Sequence, residues 1–211
     1  MEKKLLFLVN PKAGRNKSRG PLFDAVSVLC QAGYLVNVHE TTAAGDAAAT
    51  AAAQGADYDL VVAVGGDGTL NETVSGLMRL EQPPLLGYLP QGSTNDFAAS
   101  LHISGDPAEA ARAIVRHQVR TLDIGEWNQR NFVYVASFGA FTRSSYAAPQ
   151  AAKNALGHFA YILEGMKDLS TLRPYPLRID ADGENLDGDY LFGAVSNSTS
   201  IGGLMKLDPA R

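Results

Sequence analysis

The sequence has few of the features that mark specialised classes of protein. A single cysteine, Cys30, excludes an internal disulfide and favours a reducing compartment; its apolar neighbours lead us to expect a buried thiol. No apolar run approaches the ~18 residues of a membrane-spanning helix. Leu5–Val9 is shorter than the ~7–15 residues of a signal-peptide core. These absences predict a cytoplasmic protein.

Charge is also sparse, and it is unevenly placed. Charged residues make up 19% of the 211 residues and the net charge is −4, which argues against a nucleic-acid-binding protein. No Lys or Arg occurs between Gly20 and Met78. The first twenty residues instead hold a basic cluster: Lys3, Lys4, Lys12, Arg15, Lys17 and Arg19. This cluster would face phosphates or an anionic membrane surface, or it is simply solvated, and charge alone does not decide.

Short apolar runs alternate with helical patterns over the first part of the chain. The runs predict buried strands at Leu5–Val9 and Leu60–Val64, an alternating strand at Tyr34–Glu40 and a further strand at Leu85–Leu89. Apolar residues at helical spacing predict helices at Pro21–Ala32, Gly45–Gln54, Leu70–Leu80 and Asp106–Arg116. Strands that alternate with helices predict a parallel sheet with right-handed crossovers.

After about residue 120 the pattern changes to strand-like segments joined by turns. These segments are Thr121–Trp127, Asn131–Phe138, Leu177–Asp180 and Asp189–Asn197, with a predicted helix at Ala151–Leu169. The apolar face of that helix would meet the protein core or a membrane, and the core is favoured. We predict two domains, a parallel α/β domain at 1–120 and an incomplete antiparallel β-sandwich at 121–211. The open strand edges of such a sandwich would allow a homodimer.

A glycine-rich turn carries the strongest functional signal. The predicted third strand runs into Gly65-Gly66-Asp67-Gly68-Thr69 at the start of a helix. Glycines let the backbone approach a bulky polyanion, and a carboxylate such as Asp67 suits Mg²⁺ beside a phosphate. Thr69 and Glu72 also fit a capping box, which starts a helix without any ligand. Because capping does not explain the paired glycines, nucleotide binding is the favoured interpretation.

Two further loops follow strands at the same edge of the predicted sheet, where open α/β sheets bind ligands. Asn10-Pro11-Lys12-Ala13-Gly14-Arg15 offers an amide, a glycine and cations. Pro90-Gln91-Gly92-Ser93-Thr94-Asn95-Asp96-Phe97 offers hydroxyls at a helix start, where Ser93 and Asp96 could again form only a capping box. Three such loops on one edge together favour a phosphate site.

These three segments resemble the diacylglycerol kinase catalytic-domain family, and more narrowly its soluble bacterial lipid kinases. The Gly65–Thr69 segment is shared with NAD kinases and phosphofructokinases, whereas Pro90–Phe97 is typical of the lipid kinases. Leu122-Asp123-Ile124-Gly125 and the segment from Asn197 to Leu207 also fit the lipid kinases. The resemblance extends from Lys3 to Arg211.

The resemblance implies a lipid kinase that uses ATP and Mg²⁺ to phosphorylate diacylglycerol, giving phosphatidic acid, during transient peripheral contact with a membrane. It implies an NAD kinase-like nucleotide domain followed by a lipid-substrate β-sandwich. Asp67 and Asp123 would be catalytic, with Asp67 near Mg²⁺, although Asp123 also fits a surface carboxylate. The implied nucleotide-binding residues are Asn10, Pro11, Lys12, Ala13, Gly14, Arg15, Thr41, Gly65, Gly66, Asp67, Gly68, Thr69, Leu70, Asn71, Gly92 and Ser93.

The sequence departs from the family at several points. Ser93 replaces a usual threonine, and Arg15 stands where close bacterial relatives carry lysine, which changes the geometry of the cation. The chain stops before the family's structural-metal turn and its glutamate general base, so we expect weak turnover or a catalytically inactive nucleotide-binding fragment. NAD, a sphingoid base or a polyprenol remain alternative acceptors, with NAD disfavoured by Pro90–Phe97.

Overall fold

The computed structural model describes residues 2–14, 20–117, 119–139, 173–197, 200–201 and 205–206. Arg15 and the predicted helix at Ala151–Leu169 lie outside the described residues. The first half of the chain alternates strands with helices in the predicted order. Its elements are β1 (Lys3–Val9), α1 (Gly20–Gln31), β2 (Tyr34–Glu40), α2 (Asp46–Gln54), a 3₁₀ turn (Gly55–Asp57), β3 (Leu60–Gly65), α3 (Asp67–Leu77), β4 (Leu85–Pro90), α4 (Asp96–Ser100) and α5 (Pro107–Val115).

A four-stranded parallel sheet in the order β2-β1-β3-β4 organises these elements. Phe7 in β1 lies opposite Val38 in β2 and Val62 in β3. Every residue of β3 is buried, as expected for a central strand of a parallel sheet covered on both faces. The predicted parallel α/β architecture is confirmed.

Successive residues of β1 point to opposite faces of the sheet, and each face is covered by helices. Leu5 and Phe7 pack in one cluster with Leu29 of α1 and Ala111 of α5. Leu6 and Leu8 pack in a second cluster with α2 and α3, through Ala51 and Leu77. The period-2 alternation of a strand therefore supplies both layers of the core.

Two local expectations are wrong. Helix α3 begins at Asp67, with Gly66 as its N-cap, so Thr69 and Glu72 do not form the expected capping box. The Leu70 N–H bonds the Gly66 carbonyl at 3.1 Å, which closes the first helical turn before Thr69 could cap it. Cys30 is exposed rather than buried, because α1 turns Leu29 into the core.

The second half of the described chain consists of short strands. They are β5 (Gly125–Trp127), β6 (Arg130–Phe132), β7 (Val135–Gly139), β8 (Tyr175–Leu177), β9 (Asp180–Ala181), β10 (Glu184–Asn185), β11 (Gly188–Tyr190), β12 (Phe192–Ser196), β13 (Ser200–Ile201) and β14 (Met205–Lys206). They form antiparallel pairs β5–β6, β7–β12, β8–β11, β9–β10 and β13–β14, which confirms the predicted change to antiparallel structure.

The predicted strand at Asn131–Phe138 is interrupted at Val133 and Tyr134. The Val133 N–H donates to the Asn71 side chain at 3.0 Å instead of to a neighbouring strand. A single long strand was therefore the wrong expectation, because a side-chain acceptor on α3 takes the place of a ladder partner.

The chain groups into two compact units. One comprises Met1–Tyr134 with Asn197–Arg211, and the other comprises Val135–Ser196. The division into domains at 1–120 and 121–211 stays a prediction. None of the helices in the described part of the chain has the length and apolar character needed to cross a membrane.

Two glycines of α3 provide a matched test of how closely α2 and α3 pack. A Cβ at Gly76 would lie 2.3 Å from the Ala48 carbonyl oxygen, whereas a Cβ at Gly68 would meet nothing within 4 Å. We expect Gly76→Ala to lower the free energy of unfolding by about 1–3 kcal/mol, since α2 must move. Gly68→Ala should leave it unchanged or raise it, and urea unfolding measures both. Equal stability of the two variants would contradict this packing.

Candidate functional site

The four parallel strands end side by side at their carboxyl edge. One further hydrogen bond extends each strand pair beyond its ladder: Thr41 N–H to Val9 O at 2.8 Å, Asn10 N–H to Val64 O at 2.9 Å, and Gln91 N–H to Gly65 O at 2.7 Å. The segments that follow all four strands are therefore held at one level. In open α/β sheets this edge is where ligands bind.

Asn10 connects the loop after β1 to the turn after β3. Its Oδ1 accepts the Lys12 N–H at 2.9 Å, and its Nδ2 donates to the Thr69 hydroxyl at 3.1 Å. Pro11 and Lys12 are exposed, and Ala13 and Gly14 are half-buried. The structure thus brings the predicted Asn10–Gly14 loop next to Thr69.

Glycines allow the three loops to touch through their backbones. Gly14 has φ +71, and a Cβ there would lie 2.2 Å from the Gln91 carbonyl oxygen. A Cβ at Gly92 would lie 2.5 Å from the Cα of Gly66. These predicted ligand-contacting glycines are thus required by the packing of the loops themselves.

Gly65 and Gly68 differ in the space around them. A Cβ at Gly65 would clash with the Thr69 side chain at 2.4 Å, whereas Gly68 is exposed with open space beside it. Packing therefore explains Gly65 and does not explain Gly68. A role of Gly68 in the approach of a ligand stays a prediction.

Asp67 joins the turn after β3 to the start of α4. Its Oδ2 accepts the Asp96 N–H at 3.1 Å and its Oδ1 accepts the Phe97 N–H at 3.2 Å. Burial raises the pKa of Asp67 above its ordinary value of 3.8, the two N–H groups oppose that rise, and the nearby Asp96 charge adds to it. The carboxylate is both a structural anchor and a half-buried charge at the edge of the sheet.

Three residues of this network were not predicted as site residues. The hydroxyl of Tyr88 donates to the Gly65 carbonyl at 3.2 Å, and both burial and the Asp67 charge raise its pKa, so it stays a donor. Asn95, at φ 53, bonds the Gly92 N–H and carbonyl at 2.8 and 2.9 Å. Asp96 is buried and accepts from the Tyr134 hydroxyl at 2.9 Å. Asn95 and Asp96 stood in the quoted Pro90–Phe97 segment, where they fitted an ordinary helix start.

Other predicted residues occupy structural positions. The Leu70 side chain is buried in a core cluster with Val133 and Phe97, so only its backbone can face a ligand. Asn71 donates to the Asn131 carbonyl at 3.3 Å and accepts the Val133 N–H at 3.0 Å. A contact of either residue with nucleotide stays a prediction.

The remaining predicted residues lie around this edge. Thr41 is buried after β2, Thr69 is buried in the first turn of α3, and Ser93 is exposed before α4. The Asp123 side chain is exposed, while its backbone carbonyl accepts from Asn197 Nδ2 at 2.5 Å. Asn197 also donates to the Val133 carbonyl at 3.3 Å, so one side chain links the Asp123 segment to the residue that follows β6.

The donor set at Asp67 fits a magnesium ion that is carried by a phosphate ligand. Magnesium prefers oxygen donors and is commonly held by one or two carboxylates together with substrate phosphates and water. Asp67 offers two carboxylate oxygens with lone pairs beyond those that its two N–H partners use. Residues 2–14, 20–117 and the later described segments contain no group of three or more His, Cys, Asp or Glu that could hold a metal unaided.

The pKa values of Asp67 and Asp46 should be shifted in opposite directions from the ordinary value for aspartate, and one series of spectra should show both shifts. The pKa of Asp46 is lowered to about 2, chiefly by the Thr42 N–H, whereas burial raises the pKa of Asp67. Because the folded state binds the Asp67 proton more tightly, stabilisation by protonated Asp67 is full below pH 3.8 and is lost as pH rises through the raised pKa. Carboxyl ¹³C shifts measure both midpoints, with Asp67→Asn and Asp46→Asn to assign them. An Asp67 midpoint at or below the ordinary value would contradict this environment.

Comparison with known proteins shows the family to which the chain is similar. Residues 4–127 match the family model described as the diacylglycerol kinase catalytic domain. The chain is 40% identical over 211 residues to a diacylglycerol kinase of Bacillus subtilis (strain 168), covering 98% of the chain and 69% of that protein. A diacylglycerol kinase of Staphylococcus aureus (strain bovine RF122 / ET3-1) is 36% identical over 210 residues, covering 99% of the chain and 67% of that protein.

A solved structure agrees with the sequence relatives. A crystal structure of a diacylglycerol kinase from Bacillus anthracis str. Sterne superposes with a TM-score of 0.76 at 29% identity, covering 97% of this chain and 67% of that chain. The matched residues 4–127 include all three loops at the carboxyl edge and Asp123. The chain is a kinase and belongs to the diacylglycerol kinase catalytic-domain family.

Proposed function

We propose that the protein transfers the γ-phosphate of ATP to the hydroxyl of diacylglycerol in a Mg²⁺-dependent reaction, giving phosphatidic acid. The observation that carries this proposal is that the Asn10–Gly14, Gly65–Thr69 and Gly92–Asp96 loops contact one another at one sheet edge, where Asp67 lies. An adjoining helix start and glycine-rich turn provide backbone N–H groups and close access, which a polyphosphate requires. The acceptor is inferred from the names of the curated relatives.

Each loop would have its own part in holding the nucleotide. The open space at Gly68 would let the phosphates approach the first turn of α3, where the helix dipole favours negative charge. The exposed Lys12, with Arg15, would compensate phosphate charge. Thr41 and Ser93 would contribute hydroxyl contacts from the flanking loops.

Asp67 would orient the metal–phosphate group during transfer. When bound, Mg²⁺ neutralises charge that develops on the phosphate oxygens. In the reaction the bond between the γ-phosphorus and the bridging oxygen breaks, a bond to the acceptor oxygen forms, ADP leaves and the hydroxyl proton is released. The N–H groups of Asp96 and Phe97 fix the Asp67 carboxylate, so it needs little reorganisation. Asp123 would act near the same centre.

The acceptor implies contact with a membrane. Diacylglycerol presents its hydroxyl at the bilayer surface, so the kinase would bind there transiently and peripherally from the cytoplasm. A sphingoid base or a polyprenol would be presented in the same way, and these acceptors belong in the same experiment. Self-association as a homodimer stays a prediction that sedimentation velocity tests.

The decisive experiment measures labelled γ-phosphate transfer from ATP to diacylglycerol in mixed micelles containing Mg²⁺. Wild type should transfer phosphate at a low rate, as the departures of its sequence from the family predict. Asp67→Ala should lower that rate by about 100-fold or more, as expected when a preorganised charge at the reacting centre is removed. Asp59→Ala is the matched control, because Asp59 also accepts a backbone N–H, from Lys4 at 2.7 Å, at the opposite end of the strands.

The possible outcomes separate the rival functions. Full activity of Asp67→Ala would overturn the role of Asp67. Transfer by wild type only to a sphingoid base, a polyprenol or NAD would change the acceptor. ATP binding without transfer to any acceptor would favour a non-catalytic nucleotide-binding module.

Gly68→Ala separates nucleotide access from folding. Its Cβ enters open space and alanine favours helix by about 0.5–1 kcal/mol over glycine, so folding should not suffer. We expect the dissociation constant for Mg·ATP to rise about tenfold, because the methyl group lies where the phosphates approach. Isothermal titration calorimetry measures this, with Gly105→Ala as control, since a Cβ there also meets nothing within 4 Å. Unchanged affinity of Gly68→Ala would place the phosphates elsewhere.

A further inference from the structure

A ring of hydrogen bonds around Asp46 lies at the end of β2, and the ring is closed by the 3.2 Å contact between the Thr50 hydroxyl and His39 Nε2. Asp46 Oδ2 accepts the Thr42 N–H at 2.8 Å and the Thr42 hydroxyl at 3.0 Å. Asp46 Oδ1 lies 3.2 Å from His39 Nε2 and accepts from the Thr50 hydroxyl at 3.2 Å. The Asp46 carboxylate therefore joins the end of β2, the following loop and the second turn of α2.

The arrangement differs from an ordinary helix cap. At the start of α5, Asp106 accepts the N–H of Glu109 three residues ahead at 2.8 Å, which satisfies the helix itself. Asp46 instead points backwards to Thr42 and sideways to His39 on β2. Its bonds hold the loop that enters the helix rather than the free N–H groups of the helix.

The ring restrains the short segment between His39 and Thr42, which contains Thr41. Thr41 lies between His39 and Thr42, and its N–H donates to the Val9 carbonyl at 2.8 Å. The next residue of β1 is Asn10, whose side chain bonds Thr69. Thr41 is therefore held directly by the end of β1 and indirectly through the next residue, Thr42, which bonds the Asp46 carboxylate.

Asp46 keeps its charge under ordinary conditions. The Thr42 N–H, with further help from the Thr42 hydroxyl, His39 and Thr50, lowers its pKa to about 2. A charged acceptor makes stronger hydrogen bonds than a neutral one. The ring can thus hold the loop throughout the pH range of a kinase assay.

We propose that Asp46 is a positioning residue for the nucleotide: it holds Thr41 and the β2–α2 loop at the sheet edge, and His39 and Thr50 hold Asp46. It acts through Thr41 without touching the ligand. This inference rests on the proposed binding of ATP at that edge. It assigns a role in nucleotide affinity to three side chains, those of His39, Asp46 and Thr50, that the sequence motifs do not include.

Asp46→Ala and Asp106→Ala form a matched pair for the test. Each variant removes a carboxylate that lies at the start of a helix and accepts one backbone N–H, so both should lower the melting temperature. Only Asp46→Ala should weaken Mg·ATP binding in calorimetry, by about tenfold, the loss typical when a partner that orients a ligand contact is removed. In the transfer assay its KM for ATP should rise while the KM for the lipid acceptor stays unchanged.

Two milder variants test the proposal if Asp46→Ala does not fold. Asp46→Asn keeps an acceptor oxygen without the charge and should bind ATP with intermediate affinity, and Thr42→Val removes only the hydroxyl bond. If wild type binds ATP and Asp46→Asn, Thr42→Val and Asp106→Ala all bind it equally well, the positioning role is wrong. If wild type itself does not bind ATP, the proposed function fails instead.

Discussion

The site depends on one carboxylate that accepts two backbone N–H groups. Through Asp67 the turn after β3 holds the first turn of α4, and α4 in turn places Asp96 against Tyr134. The start of the loop between β4 and α4 is held by the bond from the Gln91 N–H to the Gly65 carbonyl at 2.7 Å, and Asp67 holds its far end at Asp96 and Phe97. A half-buried charge is costly unless it is hydrogen-bonded, and here the bonds that stabilise it also assemble the loops.

The close approach of the loop backbones explains why the turns are rich in glycine. Gly14, Gly66 and Gly92 let three backbones approach without intervening side chains, so the loops form one surface of peptide groups. Gly68 has no such packing role and faces open space. The glycine motif therefore contains glycines that the packing of the edge requires and one, Gly68, that this packing does not require, and the sequence alone does not separate them.

Much of this could be predicted from residue patterns, and the rest depends on contacts between distant residues. Four apolar runs were sufficient to predict β1 to β4, and the loops after β1, β3 and β4 were correctly predicted to share one edge, because parallel strands place their carboxyl ends together. The break in the Asn131–Phe138 strand was not predictable, since it depends on Asn71, 62 residues away from Val133. Asn95 and Asp96 stood in a segment that also fitted an ordinary helix start, and no sequence pattern singled out Asp46. Only the partners of these residues in the fold reveal their other connections.

The central claim is that the segments following all four parallel strands form one nucleotide site. Hydrogen–deuterium exchange with and without Mg·ATP tests it most directly, because it reports on every loop in one experiment. One shared site predicts slower exchange together at residues 10–14, 41–46, 66–69 and 91–97, with no change in the strands at 175–196. Protection restricted to a single loop, or found only outside this edge, would contradict it.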